Sequence, residues 1–369
     1  MERFGFVGLP NAGKSSLFNA LAGGGALAAP YAFATTDPNV GVARVPDARL
    51  DALAAMSESR KVVPTITEFI DIGGLVEGAS KGEGLGNRFL AGIREVDAIV
   101  FVLRAFADPD VPGPADPLEH LRIVETELTL ADLDSVESRI ARRRKASRSQ
   151  PSNAELAAET AALEEALAHL EAGTPLFRAW PRAVTPEGAE VHPHRTALRG
   201  HFLLTDKPVM AVLNLGEDQM EAAEELAAPI AAELPGATVL PVCVQLEAEA
   251  AQLDAAERAE LLEGLGLGAG ALERFVTAAH GLLGLRTFLT TGEKESRAWT
   301  FRAGWRAPQC AGRVHTDFER GFIRAEVIDW AALVELGSWP AAREAGRLRV
   351  EGKDYPMRDG DVVEFRFNV

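Results

Sequence analysis

The stretch Gly8–Ser15 limits what this chain can fold into more than any other, because its sequence, Gly-Leu-Pro-Asn-Ala-Gly-Lys-Ser, fits the pattern G-x-x-x-x-G-K-[ST]. An apolar run, Phe4–Val7, precedes it, and a helical pattern, Ser16–Leu21, follows it. A loop in this position points its backbone N–H groups at an anion, and the start of the helix adds partial positive charge. We therefore expect a phosphate-binding loop in which Lys14 reaches the β- and γ-phosphates and Ser15 holds Mg²⁺.

Length and composition indicate a globular protein with more than one domain. A chain of 369 residues exceeds one ordinary hydrophobic core, and 25% charged with 47% apolar residues is typical of globular proteins. No apolar run approaches the roughly 20 residues of a membrane span, and the first strand begins at Phe4, so we expect no membrane segment and a cytoplasmic location. The cysteines, Cys243 and Cys310, favour buried thiols over a disulfide or zinc site.

The net charge of −16 argues against a protein that coats nucleic acid non-specifically. The charge is uneven, because residues 286–369 carry a net +1 and residues 1–285 a net −17. We therefore expect any contact with a polyanion to be local.

Two later stretches have the composition of switch regions in nucleotide hydrolases. In Pro30–Gly41, Thr35 or Thr36 is placed to close over Mg²⁺ and the γ-phosphate, with an ordinary turn as the alternative. After the predicted strand Ile66–Ile70, Asp71 is the metal candidate, with a helix cap as the alternative. In the same stretch, Gly74 would offer its N–H to the γ-phosphate.

A long helical pattern from Leu118 to Leu170, interrupted at Ser147–Asn153, predicts two antiparallel helices that pack like a coiled coil. Beside the interruption is a run of basic residues with no acidic residue between Ser138 and Ala154, here called the basic arm cluster: Arg139, Arg142, Arg143, Arg144, Lys145 and Arg148. This cluster could contact RNA phosphates, and a solvated helix face is the alternative.

The apolar strand pattern returns at Pro208–Leu213 and at Thr238–Val244, so the sheet is expected to resume after the helical insertion. Strand ends near residues 8, 71, 214 and 243 would then meet at the ligand edge of a parallel α/β sheet. There, Asn214 has the amide that suits a purine's Hoogsteen edge, and Glu217 has the acid that suits its Watson–Crick edge. Polar loop caps are the alternative reading of both residues.

Several motifs together resemble the YchF group, the Obg-like ATPases among the translation-factor-related P-loop proteins. In the amino-terminal two thirds they are Gly8–Asn19, Asp71–Asn87 and Thr126–Asp134. Toward the carboxyl terminus the stretches Arg297–Phe301, His315–Val327, Glu351–Tyr355 and Gly360–Val369 are similar to the TGS domain that closes that family. The resemblance covers nearly the whole chain and is weakest from about Ser147 to His201.

This resemblance implies an α/β fold of three parts: a P-loop NTPase domain with a mostly parallel sheet over residues 1–125 and 202–285, an inserted antiparallel coiled-coil arm over 126–201, and a small β-grasp-like TGS domain over 286–369. It implies a monomer that hydrolyses ATP with Mg²⁺ and binds the ribosome or ribosomal RNA, with the large subunit as the expected partner. The sequence Asn-x-x-Glu at Asn214–Glu217, in place of Asn-Lys-x-Asp, weakens the geometry that selects guanine.

The site residues implied in this way fall into three groups. The nucleotide-binding residues are Asn11, Ala12, Gly13, Lys14, Ser15, Ser16, Asn214, Leu215, Glu217, Cys243, Val244 and Gln245. The metal ligands are Ser15, Thr35 and Asp71, and the catalytic groups are Lys14, Thr35 and Gly74.

The resemblance also bears on the rate of hydrolysis. Leu75 matches the hydrophobic residue that replaces a water-orienting glutamine in this family. Such members resemble potassium-assisted hydrolases, in which the asparagine of the phosphate loop, here Asn11, coordinates K⁺. Related bacterial members carry a histidine in the loop at Ala105–Pro117, which here contains none, while His120 lies beyond it in a predicted helix. We therefore expect slow intrinsic turnover. A GTPase of the Obg type and a nucleotide-dependent binding module without significant hydrolysis are the alternatives.

Overall fold

The computed structural model describes residues 2–23, 39–73, 85–113, 115–150, 152–181, 183–185, 188–190, 192–264 and 270–368. Thr35, Thr36, Gly74 and Leu75 lie outside these ranges, so their roles stay predictions. The strands are β1 Arg3–Val7, β2 Val40–Arg44, β3 Val62–Val63, β4 Ile66–Asp71, β5 Ala98–Arg104, β6 Ala183–Thr185, β7 Gly188–Glu190, β8 Val209–Asn214, β9 Val239–Val242, β10 Leu285–Thr290, β11 Ser296–Arg302, β12 Phe322–Asp329, β13 Arg349–Glu351 and β14 Asp361–Phe367.

The helices alternate with these strands over much of the chain. They are α1 Lys14–Gly23, α2 Ala48–Met56, α3 Leu85–Glu95, α4 Pro117–Ser149, α5 Ala154–Glu171, α6 Leu176–Ala179, α7 Pro193–Leu198, α8 Ala223–Glu233, α9 Val244–Ala250, α10 Ala255–Gly264, α11 Ala271–Leu282, α12 Ala307–Val314, α13 Thr316–Arg320, α14 Trp330–Leu336 and α15 Trp339–Glu344, with 3₁₀ helices at Arg199–His201 and Glu217–Ala222. In the described part of the chain, no helix combines the length and apolar character that crossing a bilayer requires.

The chain divides into two compact units. The first comprises Met1–Ala43, Thr67–Ala183 and Glu190–Ala279, and the second comprises Arg44–Ile66, Val184–Ala189 and His280–Val369. Arg44–Ile66, which the expected bounds place in the nucleotide-binding domain, groups in this division with the carboxyl-terminal residues, and the domain bounds themselves stay predictions. Hydrogen bonding inside the second unit explains the grouping, since β3 pairs with β11 and Arg49 forms an ion pair with Asp359 at 2.8 Å.

Within its described residues, the first unit is built on a six-stranded sheet in the order β2-β4-β1-β5-β8-β9. The pairs β1–β4, β1–β5, β5–β8 and β8–β9 are parallel. All of β5 is buried, which fits its apolar run Ala98–Leu103, because parallel strands in such sheets are covered on both faces. The carboxyl ends of these parallel strands lie at one edge, as the sequence predicts, and ligand binding at this edge stays a prediction.

Aromatic packing helps to hold the start of this sheet. The ring of Phe6 in β1 stacks on Phe69 in β4 with 5.6 Å between centroids, and Phe275 of α11 lies 5.3 Å from the ring of Phe69. All three side chains are almost completely buried. Phe6 lies in the strand that leads directly into Gly8–Ser15, so this packing anchors the strand that carries the loop.

The helices α4 and α5 correspond to the predicted helical pair. Asp116 caps α4 by accepting hydrogen bonds from the backbone N–H of Leu118 and Glu119, and Asn153 caps α5 at Leu156. An apolar cluster joins the two helices and the segments beside them: Val136, Ile140, Leu163, Ala166, Leu170, Leu176 and Trp180. The helices and the interruption between them are therefore confirmed, whereas coiled-coil geometry stays a prediction.

The second unit contains its own sheet, in the order β13-β12-β14-β10-β11-β3. The pairs β10–β11, β12–β13 and β12–β14 are antiparallel, and β10–β14 is parallel. Its core includes Phe288, Phe301, Val327 and Val363, and Cys310 of α12 is a buried free thiol, as expected. The predicted domain 286–369 supplies most of these strands, and its assignment as a TGS domain stays a prediction.

Candidate nucleotide-binding site

The phosphate loop lies between the end of β1 at Val7 and the start of α1 at Lys14. Two of its residues have left-handed backbone conformations, Asn11 with φ of 63° and Gly13 with φ of 97°. A Cβ atom on Gly13 would also clash with Nδ2 of Asn214. Position 13 therefore needs glycine for both its backbone conformation and the close approach of another segment.

Lys14 is only 6% exposed, and its ammonium donates a hydrogen bond to the backbone oxygen of Leu9 at 2.9 Å. Burial lowers the pKa of Lys14 below its ordinary value, although the carboxylate of Asp71 acts in the opposite direction. The loop thus bends back over its own lysine, which places a largely dehydrated cation within the cradle.

The carboxylate of Asp71, at the end of β4, faces the start of α1. Its Oδ2 accepts a hydrogen bond from the hydroxyl of Ser15 at 2.6 Å, while its Oδ1 is buried without a hydrogen-bond partner among the described residues. A buried carboxylate oxygen without a partner is costly unless something binds it. Mg²⁺ prefers oxygen ligands of this kind, so the pair Ser15 and Asp71 fits the predicted metal ion.

Beside the phosphate loop is a cavity of about 670 Å³. Four segments line it: the loop and first turn of α1 through Asn11, Gly13 and Ser16; residues 106–109 and 111 after β5; residues 214–216 after β8; and residues 243–252 after β9, through Cys243, Val244, Gln245, Ala248, Glu249 and Gln252. Its size falls within the range typical of small-molecule sites, and its position is next to the phosphate cradle. The structure therefore brings most of the predicted nucleotide-binding residues around one space.

Asn214 joins the two halves of this site. Its Nδ2 donates to the backbone oxygen of Ala12 at 3.0 Å, and its Oδ1 accepts from the backbone N–H of Val244 at 3.2 Å. The side chain is only 5% exposed. Both ends of the amide thus bond to the protein's own backbone, which agrees with the alternative reading of Asn214 as a polar loop cap. A contact between Asn214 and the base stays a prediction.

The neighbouring predicted residues differ in how they face the cavity. Leu215 and Cys243 line it and are largely buried, and burial raises the pKa of the Cys243 thiol. Gln245 also lines the cavity, and its Nε2 donates to Oε1 of Glu249 at 3.2 Å. Glu217 is exposed at the start of a 3₁₀ helix, and the cavity is lined at this point by Gly216. Its contact with a base stays a prediction.

One wall of the cavity was missed in the sequence, where the stretch after β5 read only as a Pro- and Asp-rich loop. Phe106, Asp108 and Val111 from this loop line the space, and Phe106 is half-buried. The available signal was positional, because a loop that follows a central parallel strand must emerge at the ligand edge. As expected, His120 lies beyond this loop, in α4, and is only 2% exposed.

The basic arm cluster lies in the carboxyl-terminal part of α4. Arg143 and Arg144 form ion pairs with Glu159 and Glu164 of α5 at 3.0 and 2.9 Å. Arg142, Lys145 and Arg148 are exposed, with no carboxylate in ion-pair range among the described residues. Two of the six cations are thus engaged in ion pairs within the helical pair. The three exposed cations remain available to an anion or to solvent, so both readings of the cluster stay open.

The fold and this site define the class of the protein: an α/β nucleotide-binding protein with a phosphate loop. Comparisons with known proteins agree. The sequence model of a family described as "50S ribosome-binding GTPase" matches residues 3–140, and the YchF-GTPase_C model, described as a protein of unknown function, matches residues 285–368.

The chain belongs to the YchF family. It is 47% identical to the ribosome-binding ATPase YchF of Haemophilus ducreyi and 44% identical to that of Bacillus subtilis, in each case over 99% of both chains. The solved structure of the Schizosaccharomyces pombe YchF GTPase is similar with a TM-score of 0.85 and 32% identity, covering 99% of this chain and 97% of that one.

Proposed function

We propose that this protein is a regulatory ATPase that hydrolyses ATP to ADP and phosphate with Mg²⁺ and binds the ribosome. The observation that carries the proposal is that one sheet edge holds both the buried ammonium of Lys14 and the Oδ1 of Asp71, which is buried and has no hydrogen-bond partner among the described residues. A cavity of about 670 Å³, a size typical of small-molecule sites, lies beside the phosphate loop. The names of the relatives, ribosome-binding ATPases, support the same activity.

The phosphate loop contributes fixed positive charge where negative charge develops on the transferred phosphoryl group. Lys14 would exchange its hydrogen bond to Leu9 for the β- and γ-phosphate oxygens, and its burial reduces screening by water. Bound Mg²⁺ would neutralise charge between these phosphates, and Ser15, Asp71 and Thr35 are the residues proposed to hold it. Gly74 would donate its N–H to the γ-phosphate. We expect slow intrinsic turnover, because Leu75 cannot orient the attacking water.

ATP is the proposed nucleotide, with GTP as the runner-up. The Asn-x-x-Glu sequence at Asn214–Glu217 lacks the lysine and the short acid that suit guanine. Asn214 is already bonded to Ala12 and Val244, so its amide contributes shape as well as any contact to the base. We propose a K⁺ ion at Asn11, which is exposed and has a left-handed backbone conformation.

For the partner, we propose the large ribosomal subunit or its RNA. The family description "50S ribosome-binding GTPase" supports this choice. The exposed cations Arg142, Lys145 and Arg148 on α4 supply a local basic surface on an acidic chain. We also propose a cytoplasmic monomer with a coiled-coil arm over residues 126–201 and a TGS domain over residues 286–369.

Steady-state ATP hydrolysis with and without purified ribosomes tests the proposal. We expect stimulation by ribosomes, loss of activity in Lys14→Ala, and normal activity in Lys145→Ala when ribosomes are absent. Equal rates in the wild type and Lys14→Ala would support the binding-module alternative instead. Competitive titration of ATP against GTP decides the nucleotide, and tighter binding of GTP would overturn the ATP assignment.

A further inference from the structure

Arg104, the last residue of β5, is an arginine at the end of an otherwise apolar strand and is only 2% exposed. Among the described residues it has no carboxylate partner. Its guanidinium donates instead to backbone oxygens of the following loop: Nε to Phe106 at 3.0 Å, Nη1 to Pro112 at 3.2 Å and Nη2 to Val111 at 3.1 Å. The guanidinium carbon also lies 4.6 Å from the centre of the Phe106 ring.

The loop that Arg104 holds is the cavity wall that includes Phe106 and Val111. The near end of this loop has other attachments, because the backbone N–H groups of Ala105 and Phe106 donate to the oxygen of Asn214, and Gln219 donates to the oxygen of Ala105. At the far end, Val111 makes a local turn to Asp108, and Arg104 connects this turn to the sheet.

Burying a guanidinium without a counter-ion costs free energy of folding, and an apolar residue at the end of β5 would avoid this desolvation cost. What arginine adds is a rigid, planar set of donors that can bind several separate acceptors at once. A lysine has one compact ammonium at the end of a flexible chain and cannot span the same oxygens. The cost and the geometry together indicate a role in shaping the loop.

We propose that Arg104 is a positioning residue that holds residues 106–112 as the wall of the base-binding cavity, so that it sets affinity for the base of the nucleotide and not for its phosphates. The inference rests on the proposed function, since it assumes that the cavity takes the adenine of ATP. Among the described residues, the Arg104 side chain donates hydrogen bonds to Phe106, Val111 and Pro112 and to no residue of the phosphate loop Gly8–Ser15.

The test compares binding of ATP with binding of inorganic tripolyphosphate, both with Mg²⁺, by calorimetry on the full-length protein. In Arg104→Met we expect the Kd for ATP to rise about tenfold, the Kd for tripolyphosphate to stay within about twofold, and the KM for ATP to rise with little change in kcat. Arg104→Lys should recover only part of the ATP affinity. Arg195→Met, which removes another buried arginine of the same unit, is the matched control and should keep both affinities.

Unchanged ATP affinity in Arg104→Met, or equal losses for ATP and tripolyphosphate, would overturn the inference. If Arg104→Met does not fold, as judged by its melting transition, the same two ligands are compared in Arg104→Lys, and an equal response to both overturns the inference there too. A wild-type protein that binds tripolyphosphate but not ATP would contradict the proposed function itself, which keeps the two failures distinguishable.

Discussion

The two sides of the site, the phosphate side and the base side, are built in different ways. On the phosphate side, one short stretch, Gly8–Ser15, contacts Asp71, whose buried Oδ1 has no hydrogen-bond partner in the part of the chain that the structure describes. On the base side, separate segments meet, and the buried polar groups of Asn214 and Arg104 are bonded to the protein's own backbone. The phosphate side offers charge to a ligand, whereas the base side offers a shape held by internal bonds.

This difference indicates that the phosphate side supplies most of the affinity for a nucleotide, while the base side supplies the selectivity between bases. Charge on the phosphate side would bind any nucleoside triphosphate strongly, because the β- and γ-phosphates are common to all of them. Discrimination between bases then depends on where the loops of the base side are held. The four predictions below test whether the two sides of the site act separately, beginning with the largest expected effect.

Lys14→Ala should remove most of what the phosphate side contributes to ATP hydrolysis and to phosphate binding. We expect hydrolysis to fall by about 10²- to 10³-fold, because a preorganised charge at the transferred phosphoryl group is lost. Tripolyphosphate binding should weaken in parallel, which steady-state kinetics and calorimetry measure. Lys145→Ala, at an exposed lysine of α4, is the control for loss of a charge. Intact tripolyphosphate binding in Lys14→Ala would show that phosphate recognition lies elsewhere.

Asn214→Ala should weaken ligand binding at both the phosphate side and the base side, because this side chain forms hydrogen bonds with Ala12 on the phosphate side and Val244 on the base side. Two buried backbone groups would lose their partner, at a cost of about 1–3 kcal/mol each in the free energy of unfolding. We expect a lower midpoint in urea and weaker binding of both ATP and tripolyphosphate. Asn19→Ala, at an exposed position of α1, should leave all three values unchanged. A selective loss of ATP binding would mean that Asn214 acts only on the base.

Phe106→Ala should affect the base side alone. An aromatic ring that stacks on a base contributes about 1–3 kcal/mol, so we expect the Kd for ATP to rise roughly tenfold or more. Binding of tripolyphosphate should not change, and calorimetry compares the two. Phe202→Ala removes an aromatic ring that is 67% exposed in the same unit and serves as the control. Equal losses for both ligands would remove the distinction between the two sides.

The smallest effect concerns Asp132, a buried carboxylate that differs from Asp71 because both of its oxygens accept hydrogen bonds from the protein. It accepts hydrogen bonds from the N–H of Leu204 and from the N–H and hydroxyl of Thr205, which lie shortly before β8. Burial raises the pKa of Asp132 to about 6. The folded state therefore holds this proton more tightly than the unfolded chain, whose aspartates titrate near about 4. The contribution of Asp132 to stability should fall as pH rises from about 4 to 6.

Urea unfolding of the wild type and Asp132→Asn across this pH range measures the effect. Asp132→Asn should be less stable throughout, because its amide N–H would face the N–H of Thr205. The stability difference between the two proteins should shrink as pH rises from about 4 to 6 and then stay constant. A difference that grows with pH would contradict the raised pKa. Binding of ATP at pH 7 should change little, since these contacts lie outside both sides of the site.

Local patterns were sufficient for one part of the molecule. The phosphate loop, the apolar strands around it and the two long helices are elements that local sequence patterns specify. Their geometry depends on glycine conformations, strand burial and helix capping, which short stretches specify. The sequence also placed Asp71 at a strand end, whereas the contact of Asp71 with Ser15 depends on the pairing of β1 with β4. The loop and the strand ends of the phosphate side could therefore be predicted from sequence, while the roles of its residues, including Thr35 and Gly74, stay predictions.

Only the tertiary structure decided the rest. That Arg104 ties down the loop after β5, that Asn214 connects Ala12 with Val244, and that Arg44–Ile66 groups with the carboxyl-terminal unit all depend on pairings between distant segments. The sequence does not show which backbone groups will form hydrogen bonds with an arginine or asparagine that becomes buried. Those partners are determined when strands from different parts of the chain come together, because every buried donor and acceptor must then find one.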